Sequence, residues 1–153
     1  FINKVYQNKN VWMTYNTFRM FYQGDLKEIS EMTALPGEVI KNNSFRETPW
    51  ITGPLHTFRS ELFFHVKKES MMNPSTDDYW DTGDDQALYL SMLELAGIHS
   101  RHLYRISYIY NRVPNQKVDR KNYEAIRSLP RYNQLKELSM PRDSEWFHIF
   151  NGE

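Results

Sequence analysis

Gln86-Ala87-Leu88-Tyr89-Leu90-Ser91-Met92-Leu93-Glu94-Leu95-Ala96-Gly97 is the stretch on which the fold class turns. Leu88, Tyr89, Met92, Leu93, Leu95 and Ala96 cover most of the circumference of a helix, so residues 86–96 are expected to form a helix buried on several sides. Gly97 stands where a C-terminal cap belongs. Asp84 and Asp85 lie directly before it, where a carboxylate caps open N–H groups and favours the helix dipole.

C-terminal to this helix, Leu103 to Tyr110 alternates imperfectly and predicts a strand. Asp119 is placed to cap a helix through Tyr123, Ile126 and Arg127, which Leu129-Pro130 ends. Tyr132 to Leu138 predicts one more helix. On the N-terminal side, Thr57 to Val66 reads as a helix with Phe58, Leu62, Phe63 and Val66 on one face. Lys67 to Asp85 reads as an acidic surface loop carrying Trp80. Residues 48–54, with two prolines and a glycine, should be extended and irregular.

Pro36 suits the first turn of a helix through Ile40. Asn16 to Thr33 is polar and aperiodic, hence a loop; Val11 to Tyr15 is β-branched and aromatic, hence a strand. Phe1 to Asn8 resembles a helix tail. Helices outnumbering two well-separated strands point to an α/β fold seen in part.

With 153 residues the chain makes one domain, 1–153. Apolar residues at 40% and aromatics at 15% exclude a disordered chain, a collagen and a simple coiled coil. Basic and acidic residues balance at 19 each, which opposes nucleic-acid binding through overall charge. The Lys67-Lys68 and 112–121 basic stretches are too local to change that reading. No apolar run approaches the roughly 18 residues of a membrane span. The absence of Cys excludes disulfides, thiolate zinc sites and a Cys nucleophile, and fits a reducing, cytoplasmic setting. Phe1-Ile2-Asn3-Lys4 is neither a signal peptide nor an initiator, so the chain is expected to be part of something longer.

Four constellations bear on chemistry. Asp77, Asp78, Asp81, Asp84 and Asp85 could bind a divalent cation or supply a base, but they lack EF-hand spacing, and for Asp84 and Asp85 spacing alone favours capping. His99 and His102 are three apart and His56 and His65 stand alone; without HExxH the metal reading is weak. No G-x-S-x-G, P-loop or G-x-G-x-x-G motif occurs, which disfavours serine hydrolases, kinases and nicotinamide dehydrogenases. Trp12, Tyr15, Trp50, Trp80, Tyr108 and Tyr110 could stack on sugars or bases, although core packing is the expected role of Tyr108 and Tyr110.

Three stretches together resemble the C-terminal half of GT-A family 2 glycosyltransferases. They are Val11-Trp12-Met13-Thr14-Tyr15; Glu38-Val39-Ile40 through Arg46, Pro49-Trp50-Ile51-Thr52 and Leu55-His56-Thr57-Phe58; and Asp85-Gln86-Ala87 through Gly97 to Ile106-Ser107-Tyr108-Ile109-Tyr110-Asn111. The likeness spans roughly Phe1 to Tyr132, and Met-Leu-Glu-Leu-Ala-Gly followed by Tyr-Ile-Tyr-Asn is its most specific part. It implies a partial GT-A fold, a mixed sheet flanked by helices, with the nucleotide-binding units and an Asp-x-Asp motif in a preceding half.

The same resemblance implies an inverting transfer from a nucleotide-sugar donor to a hydroxyl of a carbohydrate or protein acceptor. Asp85, with Asp84 beside it, would be the general base. Trp50 and Thr52 would line the cleft, and Lys117, after Asn115 and Gln116, could face phosphate; His56, a pH-dependent stand-in for the family Arg, and Trp80, one of the aromatics able to stack on a sugar, complete the expected substrate-binding residues. A divalent metal, Mn or Mg, would be held mainly by residues outside this chain. Pro54-Leu55-His56-Thr57-Phe58 stands where the family often has His-Leu-Arg-Thr-Phe, and Asn16 stands where it has Gly. The rival expectation is a glycosyltransferase-like module without catalysis, binding glycan or protein in a larger assembly.

Overall fold

A computed structural model describes residues 1–27, 33–111 and 119–152. In chain order the elements are α1 (Ile2–Val5), β1 (Met13–Asn16), β2 (Arg19–Tyr22), β3 (Asp25–Lys27), α2 (Gly37–Asn42), β4 (Thr57–Phe58) and α3 (Ser60–Phe64). After these come β5 (Met72–Asn73), β6 (Asp78–Tyr79), α4 (Asp84–Ala96), β7 (Ser100–Leu103), β8 (Ile109–Asn111), α5 (Arg120–Ser128) and α6 (Glu145–Asn151). The protein is a mixed α/β structure in which small mixed sheets are flanked by helices. No helix among the described residues is long and apolar enough to cross a membrane.

Helix α4 is the centre of the core, as its all-round apolar pattern predicts. Gln86, Ala87 and every residue from Leu90 to Ala96 are buried. Trp12, Met13, Tyr15, Phe45, Leu62, Val66, Trp80 and Ile126 pack with it in one cluster. Gly97 ends the helix with a positive φ, close against Gln134, where a side chain would collide.

Strand β1 lies between β4, antiparallel, and β7, parallel. All four of its residues are buried, as a strand covered on both faces must be. Beyond it the chain enters a second sheet, ordered β3-β2-β8, in which β2 and β8 are again parallel. The parallel pair β1/β7 thus continues into the parallel pair β2/β8, bridged by Thr17 N donating to Leu103 O and Arg19 N donating to Tyr108 O. The interruption leaves Phe18 and the 104–108 segment outside regular pairing. That break sits at the carboxyl ends of β1 and β7, where α/β folds place their ligands.

Several expectations from the sequence change. Residues 16–33 contain the β2–β3 hairpin, whose turn residues Gln23 and Gly24 both have positive φ; Gln in the first turn position hides the usual Asn-Gly signal. Thr57-Phe58 is a strand, and the helix begins only at Ser60. Residues 103–110 are two strands, not one, because the segment changes sheets. Lys67 to Asp85 carries a helical turn (Lys68–Met71) and a short hairpin, and Trp80 is buried, its indole N–H donating to Ser70 O.

Tyr132 to Leu138 is not helical. Its backbone is used elsewhere, Leu135 N donating to Leu95 O at the end of α4. The final helix is instead α6, pinned by buried Trp146 donating to Val66 O. Among the described residues strands outnumber α-helices, the reverse of the expectation. By contrast α2 begins at Pro36-Gly37, and α5 is capped by Asp119, whose carboxylate accepts from Lys121 N.

Candidate functional site

The loop before β4, the first two turns of α4 and the 104–110 segment enclose a cleft of about 370 Å³. Trp50, Thr52 and His56 come from the first, Asp85 and Tyr89 from the second, and Tyr108 and Tyr110 from the third, with Phe18 closing the side. Four residues singled out from the sequence therefore meet here: Trp50, Thr52, His56 and Asp85. Asp84 is exposed in the same helical turn but does not line the cleft. Trp80 lies in the core, away from it. Lys117, with Asn115 and Gln116, lies outside the described residues.

The start of α4 is set by Gly83, which adopts a positive φ as N-cap. A Cβ there would press on Ile126 and Tyr123, so glycine lets α5 pack against the helix start and fixes where Asp85 emerges. Neither Asp84 nor Asp85 is the capping residue; both belong to the first turn. Asp85 Oδ1 accepts from Gln86 N at 2.8 Å. Solvent reaches the Asp85 carboxyl at the cleft rim, yet the protein crowding it raises its proton affinity above the ordinary range. The Asp84 charge adds to that rise, while the Gln86 N–H opposes it. A carboxylate of raised basicity at a cleft is suited to taking a proton from a bound hydroxyl.

Tyr89 follows Asp85 by one helical turn and brings its ring to the same wall. His56 stacks on it, ring centroids 3.9 Å apart, and Trp50 lies at 5.9 Å on a tilt. Enclosure among rings pushes the His56 pKa down to about 3, so the imidazole is neutral at pH 7. Its Nε2 is buried with no partner among the described residues, as is Thr52 Oγ1, in a side chain only 1% exposed. Two unpaired polar atoms in one apolar wall are unusual, since buried polar groups are nearly always bonded.

Asn16, at the carboxyl end of β1, ties the cleft's two walls together. It is buried, its Oδ1 accepting from Leu55 N at 2.6 Å and its Nδ2 donating to Ser107 Oγ at 2.6 Å. A glycine could make neither bond. Sequence reasoning missed this bridge, and it missed Phe18 and Tyr89 as lining residues. The signal for Tyr89 was its i+4 spacing from Asp85. Tyr108 and Tyr110, expected to be core, are exposed and half-buried respectively and line the cleft.

A second concavity, about 320 Å³, lies between Lys67–Ser70 and Leu129–Tyr132. Its Tyr132 hydroxyl is already engaged by Lys67 N and Ser70 Oγ, and none of the unpaired buried atoms lies there. Among the described residues no group of three or more His, Asp or Glu converges on a point a metal could occupy.

No protein-family model, curated protein or solved structure matches this chain.

Proposed function

We propose that this chain forms the acceptor side of an inverting GT-A family 2 glycosyltransferase, with Asp85 as general base. The observation that supports it is the meeting of Asp85 with Trp50, Thr52 and His56 in one cleft. These residues come from separate parts of the sequence; the family resemblance makes Asp85 the base, puts Trp50 and Thr52 in the cleft, and sets His56 at the position of a family Arg. In the reaction, Asp85 takes the proton of an acceptor hydroxyl. The hydroxyl oxygen bonds to the anomeric carbon, whose bond to the nucleoside diphosphate breaks, the electron pair leaving with the diphosphate. The nucleotide and any divalent cation would be held by residues beyond this chain, and Lys117 remains the residue proposed to face phosphate.

A second reading, a saccharide-binding module without transfer, is favoured by one feature. The described cleft residues include no cation, because His56 is neutral and stands where the family often has Arg. One experiment separates the two. Sugar transfer from a panel of nucleotide sugars is measured with Mn²⁺ present on the full-length protein that carries the donor half, as wild type and as Asp85→Asn. On the enzyme reading, Asp85→Asn lowers transfer by roughly 10²–10⁴-fold, with donor binding near wild type. Undiminished transfer in the variant removes Asp85 as base; binding without transfer by the wild type selects the module.

A further inference from the structure

The walls of the cleft say more about its ligand than that it carries a hydroxyl. They are mainly aromatic, supplied by Trp50 on one side and Tyr108 and Tyr110 on another. Flat apolar faces of this kind suit the C–H face of a sugar ring. Two buried hydrogen-bonding atoms of residues lining the same wall, Thr52 Oγ1 and His56 Nε2, have no partner among the described residues. Thr52 both donates and accepts, and a neutral imidazole nitrogen does one or the other, which matches ring hydroxyls. Among the described lining residues Asp85 is the only charged one, and it is an anion. A second carboxylate brought beside it would be repelled in surroundings that screen charge less than bulk water.

We propose that the cleft is selective for an uncharged saccharide ring, stacked on its aromatic walls and hydrogen-bonded to Thr52 and His56, and that Asp85 excludes anionic sugars. This rests on reading Asp85 as the acceptor-side base, but it concerns which acceptors enter, not whether they react.

Trp50 provides the readout. Trp12, Trp80 and Trp146 are buried in the core, whereas Trp50 lines the cleft, so ligand-dependent fluorescence reports on the site. The probes are methyl glycosides of glucose, galactose and mannose, and the corresponding methyl uronates, titrated at neutral pH. At least one neutral glycoside should bind, with its uronate at least roughly tenfold weaker. Asp85→Asn should bring the uronate to within about threefold of the neutral sugar, because the repulsion is gone. Thr52→Val should weaken the neutral sugar by roughly fivefold, the worth of one hydrogen bond.

Uronates binding as well as neutral sugars, no glycoside binding at all, or an unchanged gap in Asp85→Asn would each overturn the proposal. The transfer assay fails independently. Loss of transfer in Asp85→Asn with no charge discrimination sinks only the selectivity, and intact discrimination with normal transfer sinks only the base.

Discussion

The two ends of α4 treat buried polar groups in opposite ways. Near the C-terminal end, Glu94 is completely buried and fully engaged. Arg46 donates to both its oxygens, Nε at 2.6 Å and Nη2 at 3.0 Å, and Tyr132 N donates to Oε2. The remaining Arg46 nitrogen, Nη1, donates to Ile126 O. At the N-terminal end, the same helix presents Asp85 and Tyr89 to a wall where Thr52 and His56 keep unpaired atoms. A closed network fixes a core; an open one leaves hydrogen-bonding capacity for something that arrives later. One helix therefore anchors the fold at one end and presents a cleft at the other.

The largest effect expected from perturbing this contrast lies in the closed network. Glu94→Ala leaves the Arg46 guanidinium buried without its counter-charge and orphans the Tyr132 N–H. It should cost about 3–5 kcal/mol of stability, read from urea unfolding. Arg46→Ala should cost a similar amount, and the double variant less than the sum of the two. A loss under about 1 kcal/mol would mean that the pair behaves as a surface ion pair and that the contrast between the two ends is not energetic.

A smaller effect, with a pH signature, comes from the open end. The His56 pKa lies at about 3 in the fold against 6.5 for an ordinary histidine. The unfolded chain therefore takes up this proton first as pH falls. The His56 contribution is complete above about 6.5 and is lost as pH falls towards 3, at no more than about 1.4 kcal/mol per pH unit. Asp85 acts the other way, because its raised proton affinity favours the folded state at low pH, and His102, also lowered by burial, acts with His56. The informative quantity is thus the difference between wild type and His56→Phe, which keeps a flat ring against Tyr89. Unfolding midpoints between pH 7 and about 4 should fall more steeply for the wild type. Parallel curves would show that His56 is solvated and its Nε2 not confined.

How much of this could be read in advance followed the range of the forces involved. Helix α4 and its Gly97 cap, and α5 with its Asp119 cap, were legible because pattern and cap are local. The hairpin of β2 and β3 and the helix α6 were not, since strands of three or four residues carry too little alternation and Trp146 gains its meaning from Val66, eighty positions away. The segment 132–138 misled for the same reason, its backbone serving α4 across the structure. At the cleft, Asp85, His56 and Trp50 stood out as residue types that can carry chemistry, but only the family resemblance added Thr52 and gave Asp85 the role of base. Nothing in the sequence paired Asn16 with Leu55 and Ser107, or Arg46 with Glu94, because both are contacts between distant segments.

The smallest expected stability change is the sharpest test of the contrast, since it applies to the cleft the same operation that damages the core. Thr52→Val deletes a buried polar atom and keeps the β-branched shape. In the closed network such a deletion strands its partners; at Thr52 no described residue is a partner to strand. The variant should therefore be as stable as the wild type or up to about 1–2 kcal/mol more stable, because an unsatisfied hydroxyl no longer has to be kept from water. Its saccharide binding should weaken at the same time. Stability and binding moving in opposite directions is what a group held open for a ligand produces. A Thr52→Val protein destabilised by more than about 1 kcal/mol would mean that the hydroxyl is already bonded, and the two ends of α4 would then follow one rule.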